Sequence, residues 1–139
     1  MKRRKDKKPS VTALKHKLDT LWSVWVRRSN ANSDGMCHCC SCGMCYRWDE
    51  MDCGHFISRN HNGGRFDERN TNPQCRKCNR FREGNKAGYA VFLQEKYGPQ
   101  IISELNQLQY TIKRFTPEEL QELILKTREN IKGLSNAAQ

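Results

Sequence analysis

Apolar positions recur at three- and four-residue steps in four stretches of the chain. Val11, Leu14, Leu18, Leu21, Trp22 and Trp25 follow a Pro9-Ser10 start signal and predict an amphipathic helix over about 11–28. Tyr89, Phe92, Leu93 and Tyr97 predict a second helix from Asn79 to Tyr97, stopped by Gly98-Pro99. Ile101, Ile102, Leu105 and Leu108 share one face of a shorter helix at about 100–109. Thr116-Pro117-Glu118-Glu119 combines an N-cap, a first-turn proline and a capping-box glutamate. It opens a last helix over about 117–132 that buries Leu120, Leu123, Ile124 and Ile131. Between the first two helices the pattern changes. Residues 29–36 read as a polar loop, Arg47 to Ile57 as a short hairpin or strand pair, and 58–74 as loop with a tight turn at Asn62-Gly63-Gly64. The order predicts an α+β protein: a small irregular core flanked by helices.

The core is poor in apolar material. Only 36% of the 139 residues are hydrophobic and 29% are charged, so a bound metal is the expected supplement to hydrophobic burial. Eight cysteines supply it. Cys39-x-x-Cys42 is followed by Gly43, which tolerates the positive φ of a metal knuckle. Cys75-x-x-Cys78 answers it further along the chain. Two such pairs place four thiolates around one structural zinc. Frames 37/40 and 42/45 compete with 39/42, and Gly43 selects 39/42. Cys37, Cys40, Cys45 and Cys53 remain as spare thiols or a second zinc set. No apolar segment follows the basic N-terminus and none reaches membrane-spanning length, so a reducing cytoplasmic setting is expected.

The net charge is +10 and the pI about 9.4, which points to nucleic acid. Residues 1–8 hold six of the cations and read as a flexible arm along phosphates. Around the cysteines lie groups suited to phosphodiester hydrolysis. His55 is the candidate general base. Asp52 and Asn79 are candidate oxygen ligands for a catalytic Mg²⁺ or Mn²⁺. Asn79 directly follows Cys78, so zinc would fix its place. In a regular strand residues 52 and 55 face opposite ways, so a β-bulge at Cys53-Gly54 is expected to bring them together.

The runs Cys39–Gly43, Asp52-Cys53-Gly54-His55-Phe56, Arg65–Asn70, Gln74–Asn79 and Gly84-Asn85 resemble the lambda NinG (Rap) recombination proteins of phages. More broadly they resemble the HNH, or ββα-metal, endonucleases with a zinc-stapled, treble-clef-like core, phage endonuclease VII among them. The resemblance covers about residues 10–110, between the arm at 1–9 and a C-terminal helix and tail at 111–139. It implies a phage-encoded endonuclease, at work in the bacterial host cell, that cuts branched recombination intermediates such as Holliday junctions and D-loops. His55 would be its base, Asn79 and Asp52 its metal ligands, and Asn70 a brace for the loop that positions the base. Arg59, Arg65, Arg69, Arg76, Lys77, Arg80, Arg82 and Lys86 surround the motif and would clamp phosphates. Two symmetric cuts imply a homodimer, with the helical flanks as its expected surfaces, and recombination proteins are conceivable partners. The rival readings are a non-catalytic zinc module that binds nucleic acid and a general HNH nicking enzyme.

Overall fold

The computed structural model describes residues 7–137, so most of the basic arm lies outside the described residues. Helix α1 spans Val11–Ser29 and is capped by Ser10, whose hydroxyl accepts from the Ala13 amide at 3.1 Å. A first antiparallel pair, β1 (Met36–His38) and β2 (Cys45–Arg47), forms a short ribbon. A 3₁₀ turn (Trp48–Glu50) leads into β3 (Met51–His55). After a single helical turn α2 (Asn62–Arg65), strand β4 (Thr71–Cys75) returns antiparallel to β3. A π-helical turn (Lys77–Phe81) follows, then α3 (Lys86–Tyr97), α4 (Ile101–Gln107) and α5 (Pro117–Ala137). The protein is α+β with two separate two-stranded sheets. Among the described residues no helix is long and apolar enough to cross a membrane.

The helices follow their periodicity. Leu14 and Leu18 of α1 bury against Leu120 and Ile124 of α5, and this is the most extensive packing between elements. The capping box forms: the Glu119 amide donates to Thr116 Oγ1 at 3.2 Å and the Thr116 amide to Glu119 Oε2 at 3.4 Å. Helix α5 runs to Ala137, past the expected stop near 132, and Ile131 is only half-buried. The apolar stripes of α1 and α5 are thus spent on each other. Helix α5, from the segment after 110, thereby packs on α1 near the start of the chain.

Three local expectations change. The strand pair is not contained in 47–57, because β3 takes its partner from 71–75, which had read as loop. The motif at 62–64 forms a helical turn. The helix expected from Asn79 begins only at Lys86, because Glu83, Gly84 and Asn85 all have positive φ (50°, 79° and 37°). Three consecutive left-handed residues cannot continue a right-handed helix.

A second core cluster joins Phe56 and Ile57 to Tyr89, Leu93, Ile101 and Leu105, setting α3 and α4 against the end of β3. The α1–α5 face carries the first cluster. Leu120→Ala should therefore cost about 2–5 kcal/mol, the range for truncating a fully buried leucine. Ile112→Ala, at an exposed position, should stay within about 0.5 kcal/mol. Urea unfolding of both variants checks this.

Candidate functional site

The site grows from the cysteines. Cys39 and Cys42 sit in the turn between β1 and β2. The Gly43 amide donates to the Cys39 carbonyl at 2.9 Å, and Gly43 takes a φ of +75°. Cys75 ends β4 and Cys78 lies in the π-helical turn. The four sulfurs lie within 4.8 Å of one another, and no other such group of three or more occurs among the described residues. Cys42 Sγ and Cys75 Sγ are 3.8 Å apart, which equals the ~3.8 Å edge of a tetrahedron with Zn–S bonds of about 2.3 Å. The donor set therefore fits structural zinc in the 39/42 frame.

Backbone amides prepare the sulfurs for this role. The Ser41 amide donates to Cys39 Sγ and the Cys78 amide to Cys75 Sγ, both at 3.4 Å. Burial works against an anion at Cys39, yet the surrounding amides bring its thiol down to about 7. Burial pushes Cys75 up to about 12, so a metal must supply the drive to ionise it. Cys37, Cys40, Cys45 and Cys53 form no second cluster among the described residues. Cys37 packs on Met51 and Cys40 is buried beside Tyr89.

The ladder from Met51↔Cys75 to His55↔Thr71 is continuous, so the bulge expected at Cys53-Gly54 is absent. Glycine is required at 54 for another reason. A Cβ there would lie 2.2 Å from Gln74 Oε1. The buried Gln74 side chain needs that space to donate to Ser41 Oγ (2.8 Å) and the Gly84 carbonyl (2.6 Å). Pro73, opposite Cys53, turns its carbonyl outward to accept from the Cys40 amide at 3.0 Å. The missing proline N–H therefore costs the ladder nothing.

Regular pleating puts Asp52 on the opposite face of β3 from His55, yet both line one open cleft of about 830 Å³. Asp52 Oδ2 accepts from Asn79 Nδ2 at 3.0 Å, so two of the candidate residues touch. Arg80 also grips this carboxylate with a two-pronged ion pair, Nε to Oδ2 at 2.9 Å and Nη2 to Oδ1 at 2.8 Å. Partial burial opposes the charge of Asp52, but Arg80 and Asn79 outweigh it and hold its carboxyl below the usual range. As arranged, both carboxylate oxygens are committed to N–H donors.

His55 Nε2 lies 2.9 Å from the Arg65 carbonyl. A carbonyl only accepts, so Nε2 carries the proton and Nδ1 keeps its lone pair. Burial lowers the pKa of His55 below its ordinary value, against the pull of the Arg65 carbonyl and Asp19. Burial thus favours the neutral ring. Asn70 is wholly buried. Its Oδ1 accepts from the Ile57 amide at 2.8 Å, and its Nδ2 donates to the carbonyls of Ile57 (3.0 Å) and Gly64 (2.9 Å). It ties the segment after His55 to the turn that precedes Arg65.

The eight cations expected at phosphates divide into two groups. Arg59, Arg76, Arg80 and Lys86 line the cleft, and Lys77 and Arg82 are exposed nearby in the chain. Arg65 is instead buried in a two-pronged pair with Asp19 of α1, which removes it from the phosphate clamp. Arg69 pairs with Asp67 and Glu104 and serves the fold in the same way. Sequence reasoning missed Asp19 and Arg27, which α1 contributes to the cleft wall. Asp19 adjoins the apolar stripe, but its partner lies 46 residues away, and no local pattern marks such a pair. Gln74 was also missed as the bridge between the cysteine knuckle and the turn at Gly84.

The fold and site define a small α+β protein with four clustered cysteines that could hold a metal ion, beside a cation-lined cleft. The family model described as Bacteriophage Lambda NinG protein matches residues 1–137, and the chain belongs to this family. It is 32% identical over 100 residues to Protein ninG of Escherichia phage 933W, covering 71% of this chain and 49% of that protein. It is 31% identical over 100 residues to Protein ninG of Salmonella phage P22 (71% and 48%) and 30% identical over 100 residues to that of Escherichia phage lambda (71% and 48%). The chain spans about half the length of the curated relatives it matches. No solved structure matches it.

Because zinc binding and folding are coupled at such a cluster, Cys75→Ser should lose stoichiometric zinc and its native circular dichroism together. Metal analysis beside far-ultraviolet spectra checks this, and a variant that keeps both would remove the structural role of the metal.

Proposed function

We propose that the protein is a zinc-stapled, divalent-cation-dependent endonuclease that cuts branched DNA such as Holliday junctions and D-loops. The observation that carries this reading is the state of His55. Burial favours its neutral form, its Nε2–H is held by the Arg65 carbonyl, and its Nδ1 is left with a lone pair beside a cleft rimmed by cations.

The order of parts supports the same reading. A strand carrying His55, a returning strand and a turn carrying Asn79 follow one another along the chain, the order expected from the resemblance of the sequence to the HNH, or ββα-metal, endonucleases. Many of those proteins have an acid directly before the histidine, where this chain has Gly54. Asp52 shares a strand face with position 54, about 6–7 Å further along. It therefore lies on the side where that acid would stand.

The donors at Asp52 and Asn79 are hard oxygens, the kind that Mg²⁺ or Mn²⁺ takes, and Arg80 must turn from the carboxylate before they can hold one. When bound, the cation supplies charge neutralisation at the leaving oxygen. The chain's own groups do the remainder. Arg59, Arg76 and Lys86 hold the phosphates. His55 Nδ1 takes a proton from water as the oxygen attacks phosphorus in line. The bond to the 3′ oxygen breaks, that oxygen takes a proton from solvent water in the open cleft to leave as a 3′ hydroxyl, and His55 returns its own proton to solvent.

The second reading is a non-catalytic zinc module that binds nucleic acid, favoured by one observation: Arg80 and Asn79 already satisfy both oxygens of Asp52. A general HNH nicking enzyme would share the chemistry without the preference for branches. Paired cuts at a junction call for a two-fold dimer, with the outer faces of the helical flanks as its proposed surfaces. Host-cell cytoplasm and recombination proteins remain the proposed setting and partners.

The test is cleavage of a labelled four-way junction beside linear duplex of the same sequence, in Mg²⁺ and Mn²⁺. Cutting should favour the junction, and His55→Ala should lose it by about 10²-fold or more while keeping junction affinity. Equal cutting of both substrates would leave the general nuclease, and binding without cutting would leave the zinc module.

The pH dependence is set by the same ring. A free histidine gains its proton near pH 6.5, and the folded His55 gains it lower, so the base stays competent below that value. The acid limb of the cleavage rate should fall below pH 6.5 and be absent from the residual rate of His55→Ala. The lowered pKa also makes stability fall as pH drops below 6.5, until the folded ring protonates as well. Rate profiles and urea midpoints between about pH 5 and 8 check both.

A further inference from the structure

Between Cys78 and α3 the chain forms a protruding turn whose tip is Phe81, 81% exposed. The other large exposed apolar side chains among the described residues are placed differently. Met44 lies in the turn between β1 and β2, Val91 and Leu125 lie on the outer faces of α3 and α5, and Tyr110 and Ile112 lie in the connection before α5. Phe81 differs in three respects.

Its backbone is fastened. The Gly84 amide donates to the Cys78 carbonyl at 3.0 Å, and the Asn85 amide to that of Arg82 at 2.7 Å. Asn85 Nδ2 reaches Cys78 Sγ at 3.4 Å, and Gln74 Nε2 holds the Gly84 carbonyl at 2.6 Å. The turn is thus tied to the cysteine cluster at one end and to β4 at the other. Its conformation is also costly, since Glu83 and Asn85 adopt positive φ without being glycine. Finally, its surroundings are cationic. Residues 76–86 contain five Lys or Arg and one acid. Arg76, Lys77, Arg82 and Lys86 enter no ion pair among the described residues.

We propose that Phe81 is a stacking wedge for an unpaired DNA base, seated on a rigid turn whose cations hold the flanking phosphates. Aromatic side chains set in a positive surface stack on bases exposed at single strands and distorted steps. Prior immobilisation of the turn spares the ordering cost of binding. Intact duplex buries its base faces and offers Phe81 no partner, whereas a branch point or a displaced strand does. This inference rests on the DNA reading of the cleft and deepens it: it assigns the preference for branched substrate to a residue apart from the chemistry.

The test measures binding by the full-length protein without added Mg²⁺ or Mn²⁺, so that no cutting intervenes. The probes are a four-way junction with 2-aminopurine beside the branch, a 2-aminopurine single strand and a linear duplex. Phe81→Ala should weaken junction and single-strand binding by about tenfold, leave duplex binding within about twofold, and abolish the 2-aminopurine response. Phe81→Trp should retain both, and zinc content should match the wild type in each variant. An unchanged junction affinity and fluorescence response in Phe81→Ala would overturn the wedge and leave the nuclease reading intact. An equal loss on all three probes would also overturn it, by making Phe81 a general contact. If the wild type bound none of the probes, the wedge and the DNA reading would fall together.

Discussion

The cysteine cluster is the constraint from which the site is built. The ribbon β1–β2 has three residues in each strand and little apolar area of its own, so it cannot hold a fixed position by burial alone. Metal-bound thiolates would join its turn to the end of β4 and the start of the π-helical turn. Several residues that line the cleft on that side lie a short covalent distance from those sulfurs: Arg76 next to Cys75, Asn79 one residue beyond Cys78 and Arg80 two. Gln74, one residue before Cys75, carries the same constraint to Ser41 and Gly84 through two hydrogen bonds. Gly54 is the concession on the neighbouring strand that lets Gln74 lie there.

The opposite wall depends on ordinary hydrophobic packing. Helix α1 is held to α5 by Leu14, Leu18, Leu120 and Ile124, and Trp22 Nε1 donates to Thr71 Oγ1 of β4 at 3.0 Å. A helix fixed in this way can present charged groups inward, and Asp19 and Arg27 are the result. The cleft therefore lies between one wall set by metal-ligating chemistry and one set by burial, and the two are expected to respond differently to chelation and to core mutation.

Much of this was legible locally. Helix starts at Ser10 and Thr116 and the 39/42 frame rest on short-range rules that tertiary context did not override. Failures arose where a residue's reason lies far away in sequence. Gly54 suggested a bulge, but its space is taken by Gln74, 20 positions on. Strand β4 read as loop because Pro73 and the flanking Asn and Gln residues lack strand propensity. Full burial and the hydrogen bonds of Gln74, Asn70 and Asn72 hold it instead. The stripes of α1 and α5 were visible, while the fact that each is the other's partner was not. For the cations, proximity to the motif in sequence was a poor guide, since Arg65 and Arg69 had acidic partners on other elements.

Arg65 shows why the distinction matters for the proposed chemistry. Its guanidinium is committed to Asp19 on α1, while its carbonyl receives the Nε2–H of His55. One residue thus links the helical wall to the proposed base. Asn70 holds the Gly64 carbonyl beside it, so the backbone that accepts from His55 is secured on both sides, by a buried ion pair and by a buried amide. Were Arg65 a mobile phosphate contact, every encounter with DNA would move the acceptor that fixes the histidine tautomer. Its burial in a two-pronged pair prevents that. On the proposed reading, substrate binding would be left to exposed cations whose movement does not disturb the ring, among them Arg76 next to Cys75. Arg80 is the exception among these cations. It grips Asp52 with a two-pronged geometry that serves a carboxylate or a phosphate alike. On the same reading, a phosphate entering the cleft would compete for the group that now occupies the carboxylate, so substrate arrival and the freeing of Asp52 would become one event.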